Sequence, residues 1–266
     1  MNSEMSVVTG DCHFHLYPGH DPARSISGLI HNLDLMTGRE ENIFKIAFLA
    51  ESKQFNYFRK ILNRELNFER IGLETSAGPE EHCVSFRKQG EVKICLVAGR
   101  QIVTKEKIEI LGLGMEEIIP DNNPAEETIE KVISAGGLPV LAFSPGKWLF
   151  KRALIARRLV NTKFSRPLLI GDSALRPLGW GRPAIMRRAV MKNIAVLPGS
   201  DPLPPAGEEK YAGCYGFVYR GEFDPARPLT AMKQIIADAP SAIVPAGRRC
   251  SFMNVAGKLY QLLQSR

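Results

Sequence analysis

Apolar positions along this chain change period repeatedly, and each change marks a new element. Ile26, Leu29, Ile30, Leu33 and Met36 recur at three- and four-residue spacing, which predicts a helix over Ile26 to Met36 with one buried stripe. Short apolar runs flank it: Ser6 to Asp11 reads as a strand entering a loop, and Lys45 to Ala50 as a second strand. A helical stretch covers Phe55 to Leu66, and two strand-like runs, Glu81 to Lys88 and Glu91 to Val97, straddle the turn Gln89-Gly90. Ile108 to Leu113 is a further strand. The helix opened by Asn123-Pro124 runs to Ala135 and stops at Gly136-Gly137, where a left-handed cap suits glycine. Strands at Leu138 to Phe143, Pro167 to Ile170 and Ile194 to Leu197 then alternate with helices at Leu149 to Val160, Pro183 to Met191 and Leu229 to Ala237.

Strand-then-helix alternation over 266 residues predicts an α/β fold, here a single-domain (β/α) barrel, TIM-like or distorted and seven-stranded. No run approaches the roughly 20 apolar residues needed to span a bilayer, and Met1 to Gly10 lacks the pattern of a signal peptide. The expectation is a cytoplasmic protein with no membrane partner. Five scattered cysteines (Cys12, Cys83, Cys95, Cys214, Cys250) form no Cys-x-x-Cys pair, which argues against a disulfide framework or a zinc ribbon. Net charge is +7 but uneven: Lys147 to Lys192 holds twelve bases and one acid, Asp172, while Glu116 to Glu130 holds six acids and no base. Aromatics do not interleave with the basic block, so a small anionic substrate is expected over nucleic acid.

The chemistry concentrates at strand ends. In Asp11-Cys12-His13-Phe14-His15, residues two apart face one way on a regular strand, and two imidazoles at that spacing can clamp one divalent ion. Asp201 follows another short apolar strand and is a candidate ligand or base, and Asp172 shares that context. Ser144 and Lys147 lie where a strand gives way to the basic helix, and helix N-terminal amides with Arg176 nearby would suit an anion. His20 could reach the same mouth, while Gly207 to Gly213 reads as a charged surface loop.

These residues resemble the polymerase-and-histidinol-phosphatase superfamily and, more distantly, the amidohydrolases. Asp11-x-His13-x-His15 is similar to its opening His-x-His, Gly99-Arg100-Gln101 to its Gly-x-Glu, Gly136 to Ala142 to the strand before its His-Pro, and Gly199-Ser200-Asp201 to its closing Gly-Ser-Asp-x-His. The resemblance implies a divalent-metal site (zinc, manganese or iron) formed by Asp11, His13, His15, Gln101 and Asp201. Together with the strand-end and basic-loop context above, the expected catalytic residues are Asp201 and Asp172, with substrate held by Lys147, Arg176, Ser144, Arg100 and His20. Four departures mark this chain: Gln101 replaces the bridging glutamate, Ser144-Pro145 the His-Pro, Leu203 the last histidine, and Leu49-Ala50-Glu51 a Thr-Asp-His. The remaining set suits one ion. The expected function is a metal-dependent hydrolase of a small anionic substrate such as a phosphoester. The rival is a catalytically degenerate barrel that binds or regulates, for instance in a polysaccharide pathway.

Overall fold

The computed structural model describes residues 5–38, 40–144, 148 and 151–264. In chain order the elements are β1 (Ser6–Phe14), α1 (Pro22–Thr37), β2 (Ile43–Glu51), α2 (Tyr57–Leu62), β3 (Glu74–Ala77), β4 (Cys83–Lys88), β5 (Glu91–Val103), β6 (Glu109–Leu113), α3 (Ala125–Ser134), β7 (Leu138–Leu141), α4 (Lys151–Leu159), β8 (Leu169–Ser173), α5 (Ala184–Met191), β9 (Val196–Gly199), β10 (Tyr215–Gly221), α6 (Pro228–Asp238), β11 (Val244–Gly247) and α7 (Phe252–Gln264). Nine strands run in the order β11-β10-β1-β2-β5-β6-β7-β8-β9, and β4, with β3 beyond it, branches from β5. The path curls until β9 lies beside β1, where the Asp201 amide donates to the His13 carbonyl at 2.8 Å.

The sheet is a nearly closed barrel of mixed direction, which corrects the expected TIM-like or seven-stranded barrel. Parallel pairs β1–β2, β2–β5, β7–β8 and β8–β9 are interrupted by antiparallel β5–β6 and β6–β7, and β10 and β11 join antiparallel on the other side. The Thr104 to Ile108 connection is too short to carry a crossover helix, so β6 must turn back against β5. β10 was missed because Tyr215, Phe217 and Tyr219 alternate with small and polar residues over seven positions only, directly after a charged loop. Among the described residues no helix is long and apolar enough to cross a membrane.

Alternation within each strand divides the core. Ile46, Phe48 and Ala50 of β2 point inward with Val8, Val97, Leu111, Leu169, Leu197 and Phe217, whereas Ala47 and Leu49 point outward beneath α1 and α2. A third cluster packs Ile110, Leu141, Ile170 and Val196 under α3, α4 and α5. Helix α1 shows the local logic. Pro22 presets its first turn, and the Asp21 carboxylate accepts from the amides of Ala23 and Arg24 at 3.0 and 3.2 Å. Ile26, Leu29 and Leu33 are then fully buried against the sheet, each contributing about 1.5–3 kcal/mol.

The seam between β1 and β9 leaves no room for side chains. A Cβ at Gly199 would stand 2.3 Å from the His13 Cβ and 2.5 Å from its backbone nitrogen. Gly199→Ala is therefore expected to lower stability by about 1–3 kcal/mol and to displace His13. Chemical denaturation together with the His13 imidazole resonances measures both effects, and an unchanged midpoint would show that the seam is looser than its geometry.

Candidate metal centre

Five inward side chains meet at the mouth formed by the C-terminal ends of β1, β5, β8 and β9. A bulge in β1 makes this possible. Asp11 pairs with Ala47 but Phe14 pairs with Leu49, so one extra residue sits between them. Asp11 and Phe14 keep the outward side, and His13 is turned inward, followed two residues later by His15. The expectation that Asp11, His13 and His15 share a face fails at this bulge.

The His13 and His15 Nε2 atoms lie 2.9 Å apart, with the Gln101 Oε1 3.1 Å from the first. The Asp201 Oδ1 is 3.7 Å from His13 Nε2 and 3.5 Å from His15 Nε2. One ligand-capable atom from each of His13, His15 and Asp201 falls within 4.8 Å of the others, and all three residues are buried. Two ring nitrogens facing each other beside a carboxylate and an amide oxygen are poorly satisfied by protons alone. Atoms around a tetrahedral zinc would be spaced by about 3.3 Å, so small adjustments would admit an ion. The donor set fits a divalent metal. Asp201 holds φ at +51°, a conformation uncommon outside glycine, which directs its carboxylate to this point.

Charge and burial tune the members differently. Burial pulls the His15 pKa down, the Asp201 hydrogen bond opposes it, and nearby His13 adds to the decrease. His15 is thereby held in the neutral form that offers a lone pair. Burial pushes Asp201 up, but His13, His15 and the Ser173 hydroxyl more than offset it, so Asp201 stays below the usual carboxylate range. Ser173 Oγ donates to Asp201 Oδ2 at 3.0 Å while accepting from the Leu175 amide, which fixes the carboxylate's second oxygen.

Two further groups belong here that the sequence reading did not select. Tyr17 stacks 5.1 Å from His15, and burial, then the charges of Asp201 and Glu109, hold its hydroxyl well above its ordinary pKa. Glu109 on β6 shares the face of Gln101, because Val103 pairs with Glu109 and Gln101 with Leu111. Its charge is felt by both His15 and Tyr17. The signal that could have found Glu109 is its parity with inward Leu111 and Leu113.

Several expected site residues have other work. Asp11 is fully buried and accepts from the amides of His13 (2.9 Å), Ser200 (3.0 Å) and Gly213 (3.1 Å) and from the Ser200 hydroxyl; it positions the seam and is not among the converging ligand atoms. Asp172 has the parity of Ile170 and is held by Arg176 through two contacts, 2.7 Å to Nε and 2.6 Å to Nη2, with the Tyr215 hydroxyl at 2.8 Å. Arg176 also donates to the Trp180 carbonyl. Neither the expected second base nor the expected anion clamp is therefore at hand: each satisfies the other. Arg100 points outward with Leu96 and Ala98 and donates to the carbonyls of Glu116 and Phe55, both at 2.9 Å. His20 donates to the Leu203 carbonyl at 2.8 Å and packs edge-on against Tyr17, so it props the loop after Asp201 and does not join the ligand group. Ser144 follows β7 at the same end of the sheet, and Lys147 lies outside the described residues. The loop expected at Gly207 to Gly213 contains a short turn whose Glu208 is buried against Lys258.

No family model matches this chain, and no curated protein matches it in sequence. Solved structures do. Endonuclease Q in complex with a 27-mer duplex bearing an abasic lesion matches at 9% identity over 88% of this chain and 57% of that one, with a TM-score of 0.51. The lesion-specific endonuclease PfuEndoQ from Pyrococcus furiosus matches at 12% over 88% and 56%, also at 0.51. PsfC from Pseudomonas syringae matches at 14% over 81% and 82%, at 0.49. The chain thus spans little more than half the length of the endonucleases. At these identities the likeness is one of fold.

The buried Asp172–Arg176 pair gives a test of its role. Asp172→Leu alone is expected to cost about 3–5 kcal/mol, because it strands a buried guanidinium, and adding Arg176→Met should recover much of that loss. Urea denaturation of the two singles and the double measures the coupling. Additive losses would mean that the pair is not the closed unit its contacts indicate.

Proposed function

We propose that this chain is a metal-dependent hydrolase of a small anionic substrate, with phosphoesters the first class to test. The convergence of His13, His15 and Asp201 carries this reading. Two imidazoles and one carboxylate on one side of an ion leave positions open to water and substrate, the pattern of a catalytic rather than a structural site. His13, His15 and Asp201 would hold the ion with Gln101 alongside. When bound, a zinc, manganese or iron ion supplies Lewis acidity toward a coordinated oxygen. The chain's own groups divide the rest. Ser173 keeps Asp201 oriented, and Asp201, anionic and mouth-facing, can accept a proton. Tyr17 keeps its hydroxyl proton and can donate a hydrogen bond to a substrate oxygen. Glu109 stands as a second carboxylate at the rim of the same face.

A binding or regulatory barrel is the second reading, and two observations favour it. A neutral amide stands at position 101, and the Asp172–Arg176 pair closes on itself. Metal content and p-nitrophenyl phosphate hydrolysis separate the two. The hydrolase should carry near-stoichiometric zinc, manganese or iron by elemental analysis and hydrolyse the ester. His13→Ala with His15→Ala should lose both metal and turnover while keeping its circular dichroism spectrum. Metal-loaded protein without turnover would favour the binder, and a double variant that retains its metal would refute the site.

A subtler substitution tests the orienting hydroxyl. Ser173→Ala removes the bond to Asp201 Oδ2 without touching a ligand atom, and metal affinity should fall about tenfold or more. Gln101→Glu should move affinity the opposite way by adding a carboxylate beside His13. Isothermal titration with zinc reads both, and equal affinities across the three proteins would remove Ser173 and Gln101 from the centre.

A further inference from the structure

We propose that the face formed by α7 and the Leu178–Arg182 loop docks on an anionic membrane surface. Helix α7 lies on the outside of the protein, and its exposed positions set Phe252, Met253 and Tyr260 among the uncharged Asn254, Gln261 and Gln264. Val255 is buried, while Phe252, Met253 and Tyr260 are 72%, 82% and 62% exposed. Its one charged residue, Lys258, is withdrawn from the outer face: it is buried, paired with Glu208 and stacked 3.5 Å over the Tyr211 ring. A surface helix whose exposed side presents several large apolar groups and no charge is expected to be covered in its working state.

The neighbouring loop continues this surface. Leu178 is 67% exposed and Trp180 49%. Their exposure does not come from a loosely held backbone. The Leu178 amide donates to the Cys250 carbonyl at 2.7 Å, the Cys250 amide to the Ala174 carbonyl at 2.8 Å, and Arg249 to the Trp180 carbonyl at 3.0 Å. The loop is thus fixed to the segment that opens α7, and this two-part platform carries the exposed Leu178, Trp180, Phe252 and Met253.

Charge identifies the occupant. Residues 173–200 contain five bases and no acid, and residues 239–266 contain four bases and no acid. Arg182, Arg187, Arg188 and Arg248 are exposed around the platform. A second copy of this chain would set arginines against arginines, since a twofold contact brings like patches together. A nucleic acid would use aromatic rings and cations but has no partner for exposed Leu178 and Met253. An anionic bilayer meets all three features: aliphatic side chains enter the acyl boundary, tryptophan sits at the headgroup level, and arginines pair with lipid phosphates. The earlier expectation of no membrane partner rested on spanning runs, which do not bear on a surface contact.

Trp180 makes the test direct, because the chain has two tryptophans and the other, Trp148, is buried. The whole protein should co-sediment with phosphatidylcholine vesicles containing phosphatidylglycerol, with a blue shift of tryptophan emission, and should bind pure phosphatidylcholine about tenfold more weakly. Added salt should release it. Trp180→Ser with Phe252→Ser and Met253→Ser should abolish binding at unchanged metal content. Arg182→Glu with Arg248→Glu, which leaves the apolar groups in place, should abolish the preference for the anionic lipid. Absence of wild-type binding to phosphatidylglycerol vesicles overturns the proposal. So does a platform-dependent dimer in sedimentation velocity, or binding to single-stranded oligonucleotides without binding to vesicles.

Discussion

Asp11 sits fully buried where β1 meets β9, and its carboxylate gathers four donors from three separate stretches of chain. Burial alone would drive its pKa upward, and the hydrogen bonds from Ser200 and His13 oppose that rise. The cost of placing this group in the interior is offset by ordering Ser200 and Gly213 against β1. Once Ser200 is fixed, the Asp201 amide bonds the His13 carbonyl and the Asp201 side chain can turn in only one direction. The nearly closed barrel and the converging side chains are consequences of the same seam, and Gly199, whose missing Cβ would meet His13, leaves the strands free to approach.

The β1 bulge is the second half of this arrangement. Without the extra residue between Asp11 and Phe14, strict alternation would send His13 outward with Asp11 and Ala47. With it, the carboxylate stays outside, where it binds backbone, and the imidazole faces the interior, where an ion can be held. A bulge at a sheet end commonly re-aims one side chain in this way.

This explains what could be read from the sequence and what could not. Helix α1, strand β2, the β4–β5 pair and the units from α3 to β9 follow from period and caps, because each is decided by local packing. His13, His15 and Asp201 were reachable because strand-end polar residues in an α/β sheet collect at one mouth, and Gln101 through its place in the resemblance. Asp172, chosen by the same rule, and Arg100, which came with the resemblance, do not line that mouth, since neighbours of one parity on their strands, Ile170 and Ala98, already face the helices. Counting parity along β8 selects Ser173 instead, and along β6 it selects Glu109. Asp11 needed the bulge, which no spacing reveals. The Tyr215 hydroxyl that completes the Asp172–Arg176 pair comes from β10, 43 positions from Asp172 in sequence, and was invisible for that reason.

The neutral amide at Gln101 then has a consequence for substrate choice. A divalent ion held as we propose, by two imidazoles and the Asp201 carboxylate with the Gln101 amide alongside, would leave these four groups with a net positive charge, which the Glu109 carboxylate at the rim opposes. A glutamate at 101 would cancel it. Arg176 cannot supply the missing attraction because Asp172 already neutralises it, and Arg100 donates to carbonyls outside the mouth. In the proposed hydrolase, attraction for an anionic substrate would therefore have to come from the ion, in a buried setting where charge is screened weakly. Under that proposal, the amide that would weaken the hold on the metal would also spare the centre a further negative charge beside Asp201 and Glu109.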